Sequence, residues 1–131
     1  MSITNQRLGK LRWLLWATVA SSVLHYADNL LFFHQYPEPP WINRHMIDAF
    51  WWLMTPLAWI GYRMMRRSAH RAGAATLLAY AGCNLLTLGH YRYAPIHEIS
   101  LRIHTFILIE AALAVALIAY LLITYPKRSI A

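Results

Sequence analysis

Four long apolar segments, joined by connectors too short to fold by themselves, leave this chain few choices. They cover residues 11–33, 46–65, 72–90 and 101–125, each close to the ~20 residues a helix needs to cross about 30 Å of hydrocarbon. The alternating pattern of membrane-barrel strands is absent, so helices are the spanning structure to expect. Composition agrees: 59% of the 131 residues are hydrophobic and 13% are charged, whereas soluble domains are about a quarter charged. The sequence predicts an all-α integral membrane protein, one domain over 1–131, with four transmembrane helices in an up-down-up-down bundle. Short connections make successive spans antiparallel.

The basic residues set an orientation. Arg7, Lys10 and Arg12 flank the first span, Arg63, Arg66, Arg67 and Arg71 separate the second from the third, and Lys127 and Arg128 follow the fourth. The positive-inside rule puts these on the cytoplasmic side with both termini, and Arg44, Arg92 and Arg102 on the other. The basic charge then reflects topology and attraction to anionic lipid, and no nucleic-acid module accompanies it. The N-terminal apolar run, with small residues at "TVASS", has features of a signal peptide but continues past the usual signal core. It reads as an uncleaved first span, which fits a bacterial inner membrane. The lone Cys83 excludes an intrachain disulfide.

Local signals refine the picture. Pro56 falls inside the second span, where it frees a backbone carbonyl and is expected to kink the helix. "YPEPPW", residues 36–41, cannot continue a helix, because its prolines lack amide hydrogens and push their predecessors into extended conformations. It is expected to form a stiff outer cap presenting Glu38. Ala75, Ala79 and Cys83 on the third span, and Ala112 and Ala116 on the fourth, repeat every four residues and read as packing seams.

All five acids, Asp28, Glu38, Asp48, Glu98 and Glu110, and every histidine except His70 fall in the outer half of this arrangement. A charged residue at the centre of a membrane helix costs ~2.5–3.5 kcal/mol on insertion scales, so deep carboxylates call for a reason. At 1.5 Å per residue, Asp28 lies about 7 Å, His25 about 12 Å and Glu110 about 13 Å below the outer interface. His25 and Asp28 are three apart on one helical face, a spacing that permits direct contact. Glu110 projects roughly 120° away from His104 on the fourth span. A funnel of polar groups open to the outer face is expected. His25, Asp28 and Asp48 are its candidate acid/base residues, and Trp51, Trp52, Tyr80, Asn84 and Glu110 are its candidate ligand-binding residues. The alternative is a polar network that only specifies bundle geometry.

Such a pocket suits a lipophilic ligand entering from lipid, with a proton moved across it by acid/base isomerisation. The order of features resembles the EXPERA superfamily, the four-helix group that includes the sigma-2 receptor and emopamil-binding sterol isomerases. "LHYAD" near the end of span one, "PEPPW" leading into the acid of "MIDAFWWLMTP", and "IHEISL" before span four carry the resemblance. It implies a pocket for sterol-like or cationic amphiphilic ligands, with Asp28 and Asp48 as the acids best matched by position. Two other readings stay open. Imidazole and carboxylate groups of His25, Asp28, His90 and His104 suit a divalent metal or haem iron, although no tight ligand motif is present. Alternatively the chain is an accessory subunit of a larger membrane complex, or a homodimer. Whether it is an enzyme is left open by the sequence.

Overall fold

The computed structural model describes residues 3–125, which form helices and connecting turns with no strand among them. The expected charges Lys127 and Arg128 lie outside the described residues. Helix α1 runs over Ile3–Leu31, about 43 Å at 1.5 Å per residue. It starts earlier than the apolar run because "TNQRLGK" contains no helix breaker at its start. A 3-10 turn at Phe33–Gln35 and the proline connector then stop it.

The second apolar segment is two helices end to end, α2 (Arg44–Met54) and α3 (Pro56–Arg66). Asn43 caps α2 by accepting a hydrogen bond from the Met46 amide at 3.0 Å. The break falls where Pro56 predicts it: Thr55 keeps helical angles, φ −61° and ψ −39°, but Pro56 cannot donate to the Trp52 carbonyl. A tight turn with Ser68 in the left-handed region, φ 62°, leads to α4 (His70–Leu85). A 3-10 turn at Leu86–Gly89 and a short α5 (His90–Tyr93) extend α4 in line. After the Pro95 connector, Ser100 caps α6 (Leu101–Thr124). Two helical stretches, His70–Tyr93 and Leu101–Thr124, are long and apolar enough to cross a membrane.

Contacts between named residues fix the relative directions. Arg7 meets Tyr120 and Asp28 meets Arg102, so α1 and α6 are antiparallel. Ser22 meets Trp51 and Tyr26 meets Asp48, so α1 and α2 are antiparallel too. The closest helix pair is α3 and α4. A Cβ on Gly73 would lie 2.9 Å from the Gly61 carbonyl oxygen, and one on Gly61 would lie 2.7 Å from the Leu77 side chain. Only a glycine pair permits that approach.

This corrects the alanine seams expected from the sequence. Ala75, Ala79, Ala112 and Ala116 are exposed and Cys83 is half-buried; the buried faces run through Gly73, Leu77, Tyr80 and Ala81 on α4, and Ala111, Ala114 and Leu117 on α6. Both sides of these helices are apolar, and the glycine contact rotates α4 so that its alanines face outwards.

The core has two apolar clusters. One, at the end where α1 starts and α6 stops, joins Leu11, Leu15, Met65, Leu77, Tyr80, Leu117 and Leu121. The other, beneath the proline connector, joins Tyr36, Ile99, Ile103 and Ile107. Between them lies a polar layer of buried Ser22, His25, Asn29, Asn84, Thr87, His90 and Glu110.

Candidate functional site

A cavity of about 580 Å³ opens into this polar layer from between α1, α2 and α4. Its polar lining includes His25, Asn29, Glu38, Asn84, Thr87, His90 and Glu110, and aromatic and aliphatic groups such as Trp41, Ile47, Phe50, Trp51 and Met54 form its apolar walls. No lysine or arginine lines it. The volume and the mixture of many apolar groups with a few convergent polar ones are those of a small-molecule site.

His25 and Glu110 form its centre, the His25 Nδ1 bonding the Glu110 carboxylate across the α1–α6 interface. The Thr87 hydroxyl lies 3.2 Å from the same nitrogen. With Glu110 ionised this bond holds the proton on Nδ1 and leaves Nε2 as the basic nitrogen of the neutral ring. That Nε2 is buried and has no partner among the described residues. Tyr36 and Phe106 stack on the imidazole at centroid distances of 5.5 and 6.2 Å, fixing its plane. A carboxylate-oriented imidazole with a free second nitrogen is a group that can accept and return a proton.

The proline connector supplies the second carboxylate. Its stiffness folds it over the bundle rather than away from it, and Glu38 accepts a 2.8 Å hydrogen bond from the Asn29 amide nitrogen. His90 donates from Nδ1 to the Pro37 carbonyl at 3.2 Å and lies 3.5 Å from Glu38. Asn84 likewise donates its amide, to the Tyr80 carbonyl at 2.9 Å. These bonds settle which way each amide points. The side-chain oxygens of Asn29 and Asn84 are left buried, with no partner among the described residues.

Other candidate residues lie elsewhere. Asp28 turns away from His25, despite the favourable spacing. Arg102 donates to it at 2.8 Å and the Tyr36 hydroxyl at 2.7 Å, and Arg102 also reaches Gln35 at 2.6 Å. This clasp ties α1, the connector and α6 together outside the cavity lining. Burial, with Asp28 beside it, pushes the Tyr36 phenol well above its ordinary pKa, so it remains a donor. Asp48 accepts from the Tyr26 hydroxyl, and the Tyr26 ring stacks on Trp51 at 4.6 Å; Asp48 does not line the cavity either. Trp51 faces inward, its indole donating to Ser22 at 3.2 Å, while the adjacent Trp52 is 63% exposed. Tyr80 belongs to the apolar core.

His104 is separately engaged. Its Nε2 donates to the Ile96 carbonyl and its Nδ1 accepts from the Tyr91 hydroxyl, both at 2.9 Å, so neither nitrogen is free for a metal. Among the described residues no group of three or more His, Cys, Asp or Glu side chains is arranged to hold a metal ion. Asn29, Glu38 and Thr87 are polar residues of the cavity that were not among the site candidates read from the sequence. The available signal for Glu38 was its position between two prolines, which limit where it can point.

No family model, curated protein or solved structure matches this chain.

Proposed function

We propose that the chain is an integral membrane protein of four spans whose cavity binds a lipophilic ligand bearing a hydrogen-bond-donating, cationic head. One observation carries the reading. The cavity is lined by two carboxylates, Glu38 and Glu110, and by two asparagines whose side-chain oxygens are buried without a donor among the described residues, while no lysine or arginine lines it and its only basic groups are the imidazoles of His25 and His90. Buried acceptors left unpaired are costly, so a ligand that supplies N–H donors gains by entering. The apolar walls suit the remainder of such a ligand.

Support for the membrane setting comes from the surface. Large apolar side chains such as Leu31, Leu53, Leu101, Leu122 and Ile123 stand more than half exposed on several helices, more than a water-soluble surface of this size carries. With the basic residues near the termini and the α3–α4 turn, the positive-inside rule gives cytoplasmic termini and a cavity in the outer half of the bilayer. The EXPERA resemblance favours the same ligand class, although the carboxylates favoured by the geometry are Glu38 and Glu110 rather than Asp28 and Asp48. Within this reading, His25 held by Glu110 is the group that would move a proton on a bound ligand, in the manner of an isomerase. The test is saturable binding of a long-chain primary amine, one per chain, lost in Glu38→Gln; binding that never saturates contradicts the proposal.

A further inference from the structure

A second cavity, of about 360 Å³, lies between α1 and α3 towards the end where α1 starts. Three arginines line it, Arg12, Arg63 and Arg66, beside Trp16 and Trp59. No acidic side chain lines it, and among the described residues none of the three arginines has an ion pair. The Arg63 guanidinium sits over the Trp59 ring, 4.7 Å from its centroid. Stacking by the face leaves the in-plane N–H donors directed outward, the geometry that suits a phosphate. The Thr55 hydroxyl, also in the lining but at the opposite end of α3 from Arg63 and Arg66, is buried and has no partner among the described residues.

From this arrangement we infer that the α1–α3 groove is a binding site for an anionic phospholipid, its phosphate held by Arg12, Arg63 and Arg66 and an acyl chain lying along Trp16 and Trp59. Charge complementarity selects the anion, and the apolar floor selects a lipid over a free phosphate. Burial of the tryptophan and leucine surface rewards an acyl chain and offers nothing to a soluble ion. The site rests on the membrane placement proposed above and is independent of the ligand assigned to the other cavity.

The full chain, reconstituted with phosphatidylcholine vesicles, is titrated with brominated phosphatidylglycerol or brominated phosphatidylcholine, and tryptophan quenching is read after flotation confirms incorporation. The groove predicts that phosphatidylglycerol quenches at a markedly lower mole fraction. The triple variant Arg12→Gln, Arg63→Gln, Arg66→Gln should weaken that preference by about fivefold for each arginine. All three residues are exposed, so the variant is expected to fold. Equal quenching by the two lipids, or a preference unchanged in the triple variant, overturns the lipid site while leaving the membrane reading intact. A chain that does not float with the vesicles overturns both.

Discussion

Glu110 on α6 bonds the Nδ1 of His25 on α1, across 85 positions of sequence, and both side chains are buried. The pair joins the first helix to the last within the polar layer. Glu110→Leu leaves the neutral His25 ring with only Thr87 beside its Nδ1, and ~1–3 kcal/mol is the usual cost of a buried polar group that loses its partner. Glu110→Leu is therefore expected to destabilise the protein by about that amount. The double variant His25→Leu, Glu110→Leu should recover much of the loss, because the imidazole and the carboxylate are then removed together. Unfolding midpoints in detergent measure this; a double variant as unstable as the sum of the singles contradicts it.

The Gly61–Gly73 approach predicts a second asymmetry. Gly73→Ala places a methyl 2.9 Å from a backbone oxygen, which should cost about 1–3 kcal/mol by overpacking. Ala75→Leu, two residues away but exposed, should change the same unfolding midpoint little. The reverse order would mean that the alanine face, and not the glycine face, holds α4 in place.

Tyr36 gives a pH dependence whose sign follows from its burial. The folded state favours the neutral phenol, so its contribution is complete below the ordinary pKa of 10.0 and is lost as pH rises above it. Each further pH unit in that range removes up to about 1.4 kcal/mol. Stability measured from pH 9 upward should fall less steeply in Tyr36→Phe than in the wild-type chain. Parallel curves would show that the Asp28–Tyr36 bond does not couple to folding.

Helix positions were legible because length and apolar continuity determine them, and Pro56 and "YPEPPW" mark breaks through the missing amide hydrogen. The rotation of each helix was not legible. Helical spacing relates His25 only to neighbours on its own strand of sequence, such as Asp28, and cannot choose between those and Glu110 on another helix. Trp51 and Trp52 are about 100° apart on α2, so one had to face the cavity and the other had to be exposed. Nothing local said which. For Glu38 the flanking prolines signalled the stiffness of the connector, and the fold supplied its inward direction.

In the function proposed, the cavity selects a donor-bearing cation through Glu38, Glu110 and the two asparagine oxygens. The direct measurement is a binding titration of the purified protein with a long-chain primary amine and its trimethylammonium analogue. The two share charge and chain but differ in N–H donors. One saturable site per chain is expected, with at least about tenfold weaker binding of the quaternary analogue, the worth of roughly one buried hydrogen bond to a charged group. Loss of the site is expected in Glu38→Gln, with Asp28→Asn and Asp48→Asn binding nearly as the wild-type chain does. Equal affinity for the two amines, or loss of binding in Asp28→Asn and Asp48→Asn with Glu38→Gln unaffected, would contradict the proposed function.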